Sequence, residues 1–235
     1  MKAMILAAGR GERMRPLTDT CPKPLLKVAG KPLIEHHIEK LMSIGITEII
    51  INLAWLGKQI ETYFGDGRKW GVNIAYSNEG DCALETAGGI LKALPLLSGN
   101  EEQPYFLVVN GDIYTDFDYQ GLPTDLDGKL AHLWLVENPE HNLNGDFVVV
   151  ENMLANKEAY PNKETLTFSG ISMYHRDFFN NIDLAKESAP SKKISLAPLI
   201  KAQADLKKVS AEKLDAFWTD VGTPERLIQL NNSVN

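Results

Sequence analysis

Short apolar runs separated by amphipathic stretches set the pattern of the first half of the chain. Ala3–Leu6 is one continuous apolar run, and "EIIIN" (48–52) and "YFLVV" (105–109) are two others. Runs of this length read as buried strands, and Asn73–Ser77 reads as a further strand. The stretches between them have helical spacing. In Pro32–Ile44, the residues Leu33, Ile34, Ile38, Leu41 and Met42 fall on one stripe, with Pro32 suited to the first helical position. Leu56–Phe64 and Thr86–Leu94 predict two more helices. Strand alternating with helix predicts βαβ units around a parallel sheet. Ligands of such sheets bind outside the carboxyl ends of the strands. Ala7–Lys23, Ser77–Gly89 and Asn110–Tyr114 should therefore surround one crevice.

The second half is more mixed. Leu130–Glu137 and Thr165–Tyr174 predict strands, Ile194–Ala204 a helix, and Phe217–Val221 the end of a strand. Thr223–Asn232 starts as a helix should, with Thr223 as cap, Pro224 next and Glu225 in the first turn. Asn138–Asp146 and Glu151–Asn162 are polar and turn-rich, and are expected to be mobile. No internal repeat or low-complexity linker interrupts the 235 residues, so one α/β domain is expected.

Composition narrows the function. An apolar fraction of 44% and a charged fraction of 23% are ordinary globular values. The net charge of −7 argues against nucleic acid as a partner. The nearby arginines Arg10, Arg13 and Arg15 suit a small anion instead. Cys21 and Cys82 make neither a disulfide framework nor, without a Cys/His cluster, a zinc site. No apolar stretch approaches the roughly 18 residues that span a bilayer, and the start of the chain does not read as a secretory signal. The expectation is a cytoplasmic protein without a membrane partner.

The candidate anion site is "LAAGRGERMRPLTDTCPKPLL" (6–26), at the end of the first strand. Gly9 and Gly11 allow a tight turn and a close ligand approach, and successive backbone N–H groups there form an anion-binding concavity. Arg13 adds a fork for phosphate oxygens. Lys23, between Pro22 and Pro24, is a stiffly mounted charge. The loop is neither a Walker A motif nor a Rossmann fingerprint. "VVNGD" places Asn110 and Asp112 at the end of an apolar strand, and "FWTDVG" repeats the arrangement with Asp220. Either acid alone reads equally well as a turn-capping aspartate. With the phosphate loop, the pair favours one hard cation such as Mg²⁺. Each of the five histidines is expected in a structural or solvent role, because no triad or ligand spacing surrounds it.

Taken together and in order, "LAAGRGERMRPLT…PKPLL", "LETAGGI", "VVNGD" and "WTDVGTPE" resemble the signatures of the sugar-1-phosphate nucleotidyltransferases, over nearly the whole chain. "GERMRPLT", "INLAWLG", "GDF" and "TFSGIS" resemble the N-acetylmuramate-1-phosphate uridylyltransferase branch, which serves cell-wall (peptidoglycan) recycling. Glu12 and Glu85 depart from the wider family, which carries Thr or Ser at the first position and Gly at the second. The resemblance implies a Rossmann-like, mostly parallel mixed sheet flanked by helices, with about 1–115 binding nucleotide and about 116–235 binding sugar. It implies no C-terminal left-handed β-helix. It also implies UTP and N-acetylmuramic acid 1-phosphate as substrates and Mg²⁺ as cofactor. The oligomeric state would be a monomer or small homo-oligomer.

The same resemblance implies roles for particular residues. Ala8, Gly9, Gly11, Glu12 and Arg13 would hold the nucleotide, with the Glu12 side chain turned away from the phosphates. Lys23 would steady the α-phosphate and the attacking phosphate. Glu79, Thr86 and Gly88 would lie at the base and ribose. Asn110 and Asp112 would flank the reaction centre, and Asp112 with Asp220 would hold the metal. Gly145, Asp146 and Glu158 would contact the sugar. Lys157 reads as a solvated loop residue, the alternative being a cation for the lactyl carboxylate of muramate.

Overall fold

In the computed structural model, residues 1–80, 82–97, 103–180 and 193–234 are described. The strands are β1 (Lys2–Leu6), β2 (Lys27–Val28), β3 (Lys31–Pro32), β4 (Glu48–Leu53), β5 (Asn73–Asn78), β6 (Tyr105–Asn110) and β7 (Ile113–Thr115). They continue with β8 (Ala131–Val136), β9 (Phe147–Val150), β10 (Met153–Asn156), β11 (Thr167–His175), β12 (Val209–Lys213) and β13 (Trp218–Asp220). The helices are α1 (Leu33–Ser43), α2 (Gly57–Phe64), α3 (Glu85–Leu97), α4 (Leu196–Asp205) and α5 (Pro224–Val234).

Nine strands form one sheet in the order β5-β4-β1-β6-β11-β8-β12-β10-β9. The strands of the first half, β5, β4, β1 and β6, are all parallel, as their apolar runs predict. β11 then enters antiparallel between β6 and β8, which makes the sheet mixed. Along β1 the side chains alternate between two cores. Ala3 and Ile5 join Ile38 of α1 and Ile60 of α2 on one face. Met4 joins Ile90 of α3 and Ile200 of α4 on the other. Helices therefore cover both faces of the sheet, the arrangement a parallel sheet requires.

Several expectations need correction. Pro32 precedes α1 with ψ of 142° and pairs with Lys27 in a small hairpin, so it is not the first helical residue. Met42 is exposed, and His37 takes its place on the buried face of α1. Glu151–Asn162 is not a plain loop, because Met153–Asn156 forms β10 against β9 and β12. β12 runs parallel to β8 in a stretch for which the polar pattern gave no strand.

Candidate active site

The carboxyl ends of β1, β4 and β6 and the start of α3 enclose a crevice of about 200 Å³. Ala8, Gly9, Lys23, Asn52, Glu79, Thr86 and Asp112 are among the residues that line it. The crevice thus joins the three segments that strand polarity points to. Gly11 supplies the turn with a left-handed φ of 68°, while the space beside Gly9 is open. That opening leaves room for a ligand to approach the loop backbone.

The three arginines behave differently from one another. Arg10 lies 3.9 Å over the Trp55 ring and bonds Asp19 at 3.0 Å. Arg15 reaches the same carboxylate at 2.9 Å. The bond from Arg10 holds the Asp19 carboxyl below its ordinary range. These two arginines brace the loop. Arg13 is exposed and makes no ion pair among the described residues, which leaves its guanidinium free for phosphate. Glu12 points towards Arg10 and Arg15, at 3.8 Å from each.

Lys23 is held where Pro-Lys-Pro places it, with its side chain 10% exposed and its Nζ donating to Asp112 Oδ2 at 2.5 Å. Asp220 lies on the neighbouring strand. Asp220 pairs with Ile113 across β13 and β7, and the Val221 N–H donates to the Asp112 carbonyl at 2.8 Å. The two acids predicted from separate strand ends are thus brought together. The carboxylate of Asp220 is clamped by Arg226, whose Nη1 donates to Oδ1, and by His141, whose Nε2 stands 3.0 Å away. Gly222 makes this clamp possible, because a Cβ there would come within 2.6 Å of Asp220 Oδ2 and closer still to the Arg226 guanidinium.

Sequence reasoning missed Arg226, His141 and Asn52. Buried Asn52 accepts from the Ala7 N–H at 2.7 Å and donates to Glu79 Oε1 at 2.6 Å. The other Glu79 oxygen accepts from Leu84 N–H at 2.7 Å. One amide therefore ties the phosphate loop to the loop that precedes α3. A polar residue closing the apolar run "EIIIN" was the available signal, the same one that marked Asn110 in "FLVVN". His141 lies beside Asp220 rather than in a purely structural place. The other four histidines bond backbone or neighbouring side chains as expected.

A second cavity of about 360 Å³ adjoins the crevice, sharing Thr86 and Asn110 with it, and Gly145 and Asp146 also line it. Asp146 is fixed by Asn142 Nδ2 at 3.0 Å and by the Phe168 N–H at 2.9 Å. Two expected contacts are not placed here. Glu158 is exposed and lies outside this lining, bonded to Lys201 at 3.2 Å. Gly88 is buried in α3 and gives its N–H to the Ile194 carbonyl at 3.1 Å. Glu85 opens α3 at a left-handed φ of 60°, a backbone conformation that favours Gly. Lys157 lines the cavity, contrary to its expected place in solvent.

Among the described residues, no three His, Cys, Asp or Glu side chains gather as a metal site. Asp112 and Asp220 sit on adjoining backbone, each carboxylate held by a different cation, and two carboxylates are a donor set that suits Mg²⁺, which takes further ligands from phosphate and water. No helix of the described residues is long and apolar enough to cross a membrane.

Comparison with known proteins agrees with this geometry. The nucleotidyl transferase family profile matches residues 2–235. The chain is 52% identical to an N-acetylmuramate alpha-1-phosphate uridylyltransferase of Neisseria meningitidis, over 97% of this chain and 95% of that protein. It is 32% identical to the bifunctional protein GlmU of Methanocaldococcus jannaschii, over 98% of this chain and 53% of the relative. In fold it resembles a Bacillus anthracis protein assigned as a glucose-1-phosphate thymidylyltransferase, with a TM-score of 0.82 at 23% identity, covering 99% of this chain and 94% of the other.

Proposed function

Taking as premise that the chain belongs to the nucleotidyl transferase family, we propose that it joins UTP and N-acetylmuramic acid 1-phosphate to give UDP-N-acetylmuramic acid and pyrophosphate. The observation that carries this reading is the junction of the two cavities. The phosphate-loop crevice and the second cavity meet at Asn110 and Thr86, and the Lys23–Asp112 pair lies in the wall of the crevice beside that junction. A nucleoside triphosphate in one and a sugar phosphate in the other would meet there. The choice of UTP and of the muramate sugar is supported by the extent of identity to the Neisseria meningitidis uridylyltransferase.

An oxygen of the sugar phosphate forms a bond to the α-phosphorus of UTP. The bond from that phosphorus to the bridging oxygen of the β-phosphate breaks, and pyrophosphate leaves with the electron pair. The nucleophile is a phosphate monoester with a second pKa of about 6, so it is mostly dianionic at neutral pH and needs no general base. What the protein must supply is alignment and charge compensation between two anions. Lys23, in the crevice wall, would contact both phosphates. The loop amides would offer the outer phosphates fixed donors, and the exposed Arg13 would add a guanidinium fork. Asp112 and Asp220 would hold Mg²⁺, which when bound offsets phosphate charge.

Pyrophosphate release should be measured with UTP, CTP, dTTP and GTP, each against N-acetylmuramic acid 1-phosphate, N-acetylglucosamine 1-phosphate and glucose 1-phosphate. UTP with the muramate sugar should give the highest kcat/KM. A preference for glucose 1-phosphate would refute the sugar assignment while leaving nucleotidyl transfer intact. No release with any pair would refute the enzyme reading.

A further inference from the structure

The second cavity carries more charge information than a sugar 1-phosphate alone requires. Lys157 reaches into it from the turn after β10, and its Nζ donates to the Gly145 carbonyl at 2.6 Å and the Asn144 carbonyl at 3.2 Å. Both acceptors are neutral. An ammonium has three donors, so Lys157 keeps one donor, and it forms no ion pair with a carboxylate among the described residues. Lys201, on α4, lines the same cavity, and its partner Glu158 is a surface carboxylate outside the lining. The facing acid, Asp146, has one oxygen on Asn142 and the other on the Phe168 backbone, so it is committed to the fold and not to Lys157. The remaining wall is largely apolar, with Phe147, Phe168 and Ile200. A partly buried cation beside an apolar wall suits an acid that carries a methyl group, and it has no evident use for a neutral hydroxyl.

We infer that Lys157, supported by Lys201, seats a carboxylate carried on the sugar ring, so that this cavity selects sugar 1-phosphates with an acidic ether substituent over their neutral counterparts. This inference rests on the functional reading above and deepens it, because the lactyl ether of muramate is such a substituent. Lys157 is then a specificity-determining residue. The carbonyls of Asn144 and Gly145 aim its ammonium, and the apolar wall receives the lactyl methyl.

The test measures kcat/KM with UTP for N-acetylmuramic acid 1-phosphate and for N-acetylglucosamine 1-phosphate, which differ by the lactyl group. Both are measured on the same preparations of the unaltered protein, Lys157→Met, Lys157→Arg and Lys201→Met. The ratio of the two constants should fall by about 10- to 100-fold in Lys157→Met, as expected for one charge-assisted hydrogen bond. The fall should lie in KM for the acidic sugar. Lys157→Arg should recover part of the ratio, and Lys201→Met should lower it less than Lys157→Met does. A loose loop or a partly unfolded preparation would lower both constants together and leave the ratio unmoved. An unchanged ratio in Lys157→Met, where the unaltered protein favours the acidic sugar, overturns this inference and leaves the reaction standing. Failure of the unaltered protein to use the acidic sugar overturns the functional reading, and this inference with it.

Discussion

His37 lies at 2% exposure beneath the active-site strand β7, with its Nε2 2.9 Å from the Ile113 carbonyl. A carbonyl only accepts, so Nε2 carries the proton of the neutral ring. Nδ1 is buried without a partner. Burial pushes the imidazolium form down from the ordinary 6.5 to about 4, outweighing the bond to Ile113, which favours the charged form. Between those two values the unfolded chain binds a proton that the native protein does not. Stability therefore falls as pH falls from about 6.5 to about 4, by about 1.4 kcal/mol per unit. The whole loss is about 3 kcal/mol, a sizeable part of the roughly 5–15 kcal/mol that holds a domain together. His37→Gln provides the control, because its amide can still donate towards Ile113 and does not titrate in this range. Urea unfolding of both proteins at several pH values from 4 to 7.5 gives the difference in unfolding free energy. Carboxylates common to both cancel in that difference. The advantage of the unaltered protein over the variant should shrink steadily below pH 6.5 and reverse or vanish near pH 4. A difference that stays constant with pH would refute the assignment of a buried neutral imidazole.

Other variants probe the reacting end of the crevice. Asp112→Asn and Asp220→Asn should each lower turnover by on the order of 10²-fold or more while leaving the circular dichroism unchanged; near-normal steady-state pyrophosphate release in both would remove them from the metal site. Lys23→Ala should lower kcat, and an effect confined to the KM for UTP would make Lys23 a ground-state contact instead. Asn52→Ala leaves the Ala7 N–H and one Glu79 oxygen without their present partner. It should cost about 2–5 kcal/mol in urea unfolding and raise the KM for UTP; an unchanged KM would mean that the link between the two loops does not organise the nucleotide site.

How much of this was legible depended on whether the signal was local. β1, β4 and β6 are buried on both faces and read directly as apolar runs, so the position of the crevice followed from strand polarity. The loop around Gly9, Gly11 and Lys23 and the acids Asp112 and Asp220 were legible because each is a short motif at a strand end. β9, β10 and β12 lie at the far end of the sheet and are only four or five residues long, β9 a short apolar run and β10 and β12 closing on polar residues inside a turn-rich, polar stretch of chain. The pairing of β10 with β9 and β12 comes from register with distant chain, which local pattern does not contain. Arg226 was hidden for a related reason. Its spacing from Asp220 has no helical meaning, because the two residues stand on either side of the turn between β13 and α5, and the room for its guanidinium depends on the missing Cβ of Gly222. Lys157 looked like any loop lysine until β10 and its turn brought it against Gly145.

The pairing of each acid with a cation bears on how the site tolerates its own charge. Asp112 is matched by Lys23 and Asp220 by Arg226, and the Asp220 side chain is only 18% exposed. An unpaired carboxylate so poorly hydrated would be costly to keep ionised. Each of the two acids is paired with one cation, while the crevice wall carries two further carboxylates, Glu79 and Glu85. In the proposed reaction the same residues would serve the substrates, with Asp112 and Asp220 holding a metal and Lys23 compensating phosphate charge. Each cation bonds its acid directly, Lys23 from the wall of the crevice and Arg226 from outside the lining of both cavities.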